Sequence, residues 1–323
     1  MTRELDDQLT KYLTDAHSIE VQALAQLKTA PDIAGAPELE DAFRVHYTET
    51  EGHEETTKRL LEERGESPSR IKDAVMAVGG KGFILFARSQ PDTPGKLFAH
   101  ALSYEALELA SYELLGRVAA RAGAEDVAAA AARIATEERS MMETLERHAD
   151  AAVEAALRDH PRDDLATLVR KYLADAHAIE EQSIALLERA PGLVEDARLE
   201  SVFSDHLAET RDQAERVQAR LTALGGDSSS VKDAALRLGA LNWSAFFKAH
   251  PDTPGKLAAF AFAVEYLEIG GYLELERVAR RIGDEETARL AADLCSQERA
   301  AAQAIAGAFD LAAEASLEAV GAA

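Results

Sequence analysis

Apolar side chains along this chain recur every three or four residues over long runs, the spacing of amphipathic helices. The clearest run spans Phe98 to Leu115, where Phe98, Ala101, Leu102, Glu105, Glu108, Leu109, Tyr112 and Leu115 share one stripe. A second stripe holds Leu9, Leu13, Ala16, Glu20, Ala23 and Leu27, and a third holds Phe43, His46, Glu49, His53 and Leu60. A fourth runs through Val127, Ala131, Ile134, Glu138, Met141 and Leu145. With the breaks at Ala30–Pro31, Gly65 and Gly123 and the helix-starting Pro37 and Thr93-Pro94, they predict four helices over about 5–29, 37–64, 93–123 and 125–157. Short loops make antiparallel hairpins of the first and second, and of the third and fourth. The long link between second and third, with an amphipathic piece near Ser69–Val78 and an apolar stretch Phe83–Phe86, is a crossover of the kind that joins two hairpins into one four-helix bundle.

The same pattern occurs twice. Shifted by 160 residues, the chain aligns with itself without a gap: KYLTDAHSIE (11–20) lies on KYLADAHAIE (171–180), and PDTPGKL (91–97) recurs at 251–257. Roughly a third of aligned positions are identical, and so long a period means duplicated domains rather than a solenoid. The expected fold class is all-α, two four-helix bundles in tandem. The expected domains are residues 1–159 and 160–323, divided at the polar stretch RDHPRDD around Pro161. Two homologous bundles in one chain also predict an intramolecular pseudo-dimer about a pseudo-twofold axis.

Each stripe carries a glutamate inside an otherwise apolar seam. Counted from the hairpin turns, Glu20 and Glu49 lie at similar depth, as do Glu108 and Glu138, at about 1.5 Å of rise per residue. Ionised carboxylates converging in a dry core are costly unless a positive charge compensates them. The stripes contain almost no Arg or Lys, so bound cations are the natural compensation. The repeat favours the same reading: Glu20, Glu49, Glu105, Glu108 and Glu138 return as Glu180, Glu209, Glu265, Glu268 and Glu298, whereas Glu51, Glu54, Glu62 and Glu63 do not.

Composition narrows the partners. Hydrophobic residues make up 47% of 323, enough for a substantial core, while aromatics are only 6%. The formal charge of −23 argues against a nucleic-acid partner and is compatible with attracting cations. Cys295 is the single cysteine, so neither an internal disulfide nor a thiolate cluster forms, and a reducing compartment is expected. MTRELDDQLTKYL lacks the features of a signal peptide, and no apolar run approaches the roughly 20 residues of a membrane span. A soluble, cytoplasmic protein without membrane contact is the expectation.

DAHSIEVQ (15–22), HYTETEGH (46–53), YEALELASYELL (104–115) and TEERS (136–140) together resemble the YciE/YciF-type ferritin-like proteins. More distantly they resemble the rubrerythrin di-iron pattern, whose third helix also carries Glu-x-x-Glu. The resemblance covers nearly all of both halves. It implies a di-metal bundle with ligands at Glu20, Glu49, Glu105, Glu108 and Glu138 and at Glu180, Glu209, Glu265, Glu268 and Glu298. It also implies a stress-related role without a settled reaction. Rubrerythrin's cysteine-ligated iron module is absent.

The nitrogen ligands depart from that pattern. Ferritin-like histidines follow a glutamate by three residues on helices two and four, where this chain has Gly52 and Met141. His53, four residues after Glu49, can substitute on the same face. Its counterpart is Gln213, a poor ligand, and Ala301 stands where the second half would need a helix-four histidine. His17 and His46, with His177 and His206, each precede a proposed ligand by three residues; they are alternative ligands, groups that orient a carboxylate, or core histidines. Tyr112 and Tyr272, one turn after Glu108 and Glu268, read best as core tyrosines.

Such oxygen- and nitrogen-rich sites suit a di-iron centre, with manganese or zinc as alternatives. The first functional reading is a di-iron protein that reduces O2 or peroxide, or oxidises Fe(II). A metal-binding helical scaffold without turnover is the second, and a di-iron oxygenase of an organic substrate the third.

Overall fold

The computed structural model describes residues 2–69, 73, 84, 87–88, 92–158, 160–161, 164–226 and 252–322. The chain divides into two compact units, residues 1–158 with 320–323, and residues 159–319. Among the described residues both are all-helical, so the all-α tandem architecture holds. No described helix is long and apolar enough to cross a membrane.

In the first unit, α1 (Arg3–Leu27), α3 (Pro37–Glu63), α4 (Thr93–Ala122) and α5 (Glu125–Arg147) are the long helices. The Thr2 hydroxyl caps α1 by accepting the Leu5 N–H. A short helix, α2 (Ala30–Ala34), fills the turn after α1. α4 starts with Pro94 in its first turn and stops at Gly123, whose φ of 68° is left-handed, so the chain reverses directly into α5. α1 packs on α3 and α4, and α4 on α5. Leu9, Leu13, Phe43, Leu60, Leu102, Leu115, Val127 and Ile134 are almost wholly buried between them.

The expected single helix over 125–157 is two helices. The backbone leaves helical geometry at His148 (φ −99°, ψ 13°), and α6 (Ala149–Leu157) follows, packing against α4. α6 buries Ala149, Ala152, Val153, Ala155, Ala156 and Leu157, too broad an apolar surface for one seam; bending at His148 lays it against its neighbours.

The second unit repeats this plan with α7 (Leu165–Leu187), α8 (Ala197–Ala223), α9 (Thr253–Ile282), α10 (Glu285–Gly307) and α11 (Phe309–Ala319). A 3-10 turn at Ala190–Gly192 stands where the first unit has α2. Gly283 ends α9 as Gly123 ends α4, and the last break falls at Ala308. The expected long helical crossovers, including the pieces near Ser69–Val78 and Phe83–Phe86, lie almost entirely outside the described residues, as does the linker of the second half.

Candidate metal centre

In the first unit four helices deliver six buried side chains to one layer: Glu20 from α1, His46 and His53 from α3, Glu105 and Glu108 from α4, and Glu138 from α5. Glu138 is the middle of the group. Its Oε1 lies 2.8 Å from His53 Nδ1, and its Oε2 lies 3.3 Å from His46 Nε2. On one side His46 Nε2 also meets Glu105 Oε2 at 2.8 Å. On the other, His53 Nδ1 faces Glu20 Oε2 at 3.7 Å. The Tyr112 hydroxyl donates a short hydrogen bond to Glu20 Oε1. Two groups result, His46–Glu105–Glu108–Glu138 and Glu20–His53–Glu138, in each of which the potential ligand atoms lie within 4.8 Å of one another. Glu138 belongs to both.

Each imidazole is held from behind by an outer carboxylate. His46 Nδ1 lies 3.1 Å from Glu49 Oε2, and His53 Nε2 lies 2.6 Å from Glu137 Oε2. Arg133 in turn donates to Glu137 Oε2 at 2.9 Å. With the rear nitrogen engaged as donor, the front nitrogen (His46 Nε2, His53 Nδ1) would offer its lone pair to a cation; without one it carries a proton and donates to the glutamates, which raises both rings. A carboxylate behind a histidine is the usual way to fix the orientation and tautomer of a ligating ring.

The interior of this layer is short of positive charge. Both oxygens of Glu108 are buried without a hydrogen-bond partner, and so is Oε2 of Glu20. Burial pushes the Glu108 carboxyl well above the usual range, with the charges of Glu138 and Glu20 adding to it. Burial likewise lifts Glu105, up to about 7. Glu138 goes the other way: burial would raise it, but hydrogen bonds and charge from His46 and His53 bring it to about 2. The same contacts raise His53 to about 10 against the opposing effect of burial. Two imidazoles do not balance four carboxylates. A set of oxygens with two nitrogens, several atoms of it unpartnered, fits a divalent cation of the kind that takes mixed oxygen and nitrogen ligands.

The second unit keeps the carboxylates and loses half of the nitrogen. Glu180, Glu265, Glu268 and Glu298 are all buried, and atoms of the last three lie within 4.8 Å of one another. His206 Nε2 bonds Glu265 Oε1 at 2.7 Å, and the Tyr272 hydroxyl donates to Glu180 Oε1. At the position of His53 stands Gln213, whose Nε2 donates to Gln297 Oε1 at 3.2 Å; Gln297 occupies the position of Glu137. Without a second imidazole, burial and the charges of Glu180 and Glu265 push Glu298 up to about 11, although its counterpart Glu138 sits near 2. Burial raises Glu180 to about 8.

Nine of the expected site residues are therefore buried in these two layers: Glu20, His53, Glu105, Glu108, Glu138, Glu180, Glu265, Glu268 and Glu298. Glu49 and Glu209 are not. Both are exposed, and the expectation that they lie in the buried seam is corrected. The buried face of α3 runs Phe43, His46, Thr50, His53, Thr57, so the seam passes through Thr50 and leaves Glu49 at its edge. α8 repeats this with His206, Thr210 and Gln213. Among the alternative histidines, His46 and His206 reach the carboxylates. His17 turns elsewhere, with Nδ1 3.3 Å from Thr57 Oγ1 and Nε2 3.6 Å from Asp73 Oδ2. Glu137 was missed because it follows the polar face of its helix; the signal that would have found it is the joint change of His53 and Glu137 to Gln213 and Gln297 in the repeat.

The family described as a domain of unknown function, DUF892, matches this chain twice, over residues 4–158 and 165–318. No curated protein and no solved structure matches it.

Proposed function

Because the chain belongs to the DUF892 family, the YciF-type family, through both of its halves, we propose that it is a di-metal carboxylate protein whose first half reduces O2 or peroxide, or oxidises Fe(II), at a pair of iron ions. The observation that carries this reading is the position of Glu138, which turns one oxygen to His53 and the other to His46. A carboxylate that belongs to both groups would be shared by two ions if each group held one. Glu105, Glu108 and His46 would hold one ion, and Glu20 and His53 the other; manganese or zinc would suit the same donors. In the second half Glu180, Glu265, Glu268 and Glu298 are the corresponding groups. Glu49, exposed and 3.1 Å from His46 Nδ1, has an orienting role; Glu209 has no such contact, since His206 Nδ1 is buried without a hydrogen-bond partner.

Iron bound as a pair supplies two electrons at neighbouring centres, enough to take a peroxide to water. The chain's own part is to hold the donors in a dry layer, to set both imidazoles by their rear nitrogens, and to fix Glu20 through the Tyr112 hydroxyl. A cavity bordered by Gln26, His100, Tyr104 and Glu105 has a volume of about 10 Å³, room for no more than about one water molecule. That size gives no support to an organic substrate there. The same tightness favours a second reading, a stress protein that holds ions without turnover.

Anaerobic titration with Fe(II) followed by addition of O2 or peroxide separates the two. Oxidant consumption in fixed proportion to bound iron supports the redox reading. Tight binding with no consumption supports the scaffold, and failure to bind any ion removes both.

A further inference from the structure

Gln213 and Gln297 replace His53 and Glu137 together, and the replacement falls on one of the two ion positions only. We propose that the two halves hold different numbers of ions: two in the first half, and one in the second, held by Glu265, Glu268 and Glu298. The proposal rests on the metal reading above and assigns the stoichiometry of each half.

The retained position keeps everything a cation needs. Glu268 and Glu298 are nearly or wholly buried, with all four of their carboxylate oxygens unpartnered, and Glu265 has one unpartnered oxygen. Their atoms gather within 4.8 Å, as they do around Glu105, Glu108 and Glu138. His206 stands beside them at the place of His46, its Nε2 on Glu265.

The other position is dismantled. A ligating nitrogen with a carboxylate behind it has become an amide whose nitrogen donates to a second amide. What Gln213 offers the layer is its Oε1, a neutral oxygen that is buried and unpartnered, and amide oxygens are weak ligands for the metals that imidazole favours. Among the described residues Glu180 then remains as the one buried carboxylate there apart from the shared Glu298, and one of its oxygens already accepts from Tyr272. The surroundings have changed in step. Arg133 donates to Glu137 in the first half, whereas in the second Asp293 occupies the position of Arg133 and Arg216 reaches from α8 to both Asp293 and Gln297. Loss of an imidazole alone would be one substitution; here the ring, its supporting carboxylate and the arginine holding that carboxylate are all exchanged.

The test is a count of tightly held Fe(II), loaded without oxygen, per full-length chain, by native mass spectrometry and elemental analysis after anaerobic dialysis in moderate salt. The wild-type chain is expected to hold three. Gln213→His with Gln297→Glu is expected to hold four, and His53→Gln with Glu137→Gln two, with helicity by circular dichroism unchanged in both. Glu268→Gln should also reduce the count from three to two. Four ions in the wild-type chain, or two that Glu268→Gln does not reduce, overturn the unequal division while leaving a metal-binding bundle in place. No ions in any variant overturns the metal reading with it.

Discussion

His53 Nε2 and Glu137 Oε2 lie 2.6 Å apart across α3 and α5. The contact leaves Nδ1 of the same ring pointing at Glu138 and Glu20. Glu137 itself is about one-third exposed, and Arg133 holds it from the solvent side. It therefore contributes little to the core and much to which nitrogen of His53 carries the proton.

Glu137→Gln should accordingly act on the metal and not on the fold. An amide can turn its NH2 toward the ring and favour the wrong tautomer. Loss of such a supporting carboxylate typically weakens a metal site about 10- to 100-fold. In calorimetric titration with Mn(II), one of the two first-half ions should weaken by that factor while the ion beside His46 and Glu105 keeps its affinity. The thermal midpoint of the metal-free protein should barely move. Equal weakening of both ions, or of neither, would remove Glu137 from the site.

Buried carboxylates without partners destabilise the metal-free bundle, so the site should trade against stability. Glu108→Leu replaces a carboxyl with two unpartnered oxygens by a side chain that needs no hydrogen-bond partner and removes one of four converging acids. The metal-free variant should be more stable than wild type by about 1–3 kcal/mol, the usual cost of an unsatisfied buried polar group. The order should reverse with metal present. At an ion concentration 100 times the dissociation constant, binding stabilises a native protein by about 2.7 kcal/mol, and the variant should lose that gain. Thermal unfolding with EDTA and with Mn(II) reads both effects; a metal-free Glu108→Leu less stable than wild type would contradict the account.

How much of this was visible in the residues alone depends on the length of the pattern. Glu105 and Glu108 lie inside a 30-residue helix whose apolar stripe is continuous, so their burial followed from periodicity. Glu49 did not follow. Within α3 the apolar positions are sparse, and polar Thr50 and Thr57 occupy the buried face, their hydroxyls donating to the backbone carbonyls of His46 and His53. A threonine that satisfies itself locally is invisible to a search for apolar residues, and the seam slipped by one position onto Glu49. The bend at His148 was equally hidden, since no glycine or proline marks it and helical sequence runs on through it.

Gly123 gives a prediction independent of the metal. Its φ of 68° is a conformation that side chains with a Cβ seldom adopt, yet an added Cβ would meet nothing within 4 Å. Gly123→Ala should therefore incur the backbone cost alone, about 1–2 kcal/mol. Gly283→Ala, with φ 77° and the same open space, should cost the same. Urea denaturation measures both, and a much larger loss at either site would mean that the turn makes contacts beyond the backbone.

His100 sets an acid limit that the second half lacks. Burial pushes its ring from the usual 6.5 down to about 3, and its Nε2 lies 3.0 Å from Gln26 Oε1. Below pH 6.5 the unfolded chain takes up a proton that the folded chain refuses, so the unfolded state binds more protons and stability falls as pH falls, down to about pH 3. Above pH 6.5 neither state carries the charge and the residue adds no pH dependence. For one group the slope cannot exceed about 1.4 kcal/mol per pH unit. Phe260 and Leu186 occupy the equivalent positions of the second half. Copying them as His100→Phe with Gln26→Leu removes the titrating ring and its partner together. The urea midpoint of wild type should drop more between pH 7 and pH 5 than that of the double variant, and identical drops would show that the His100 ring is protonated in the folded protein as readily as in the unfolded chain.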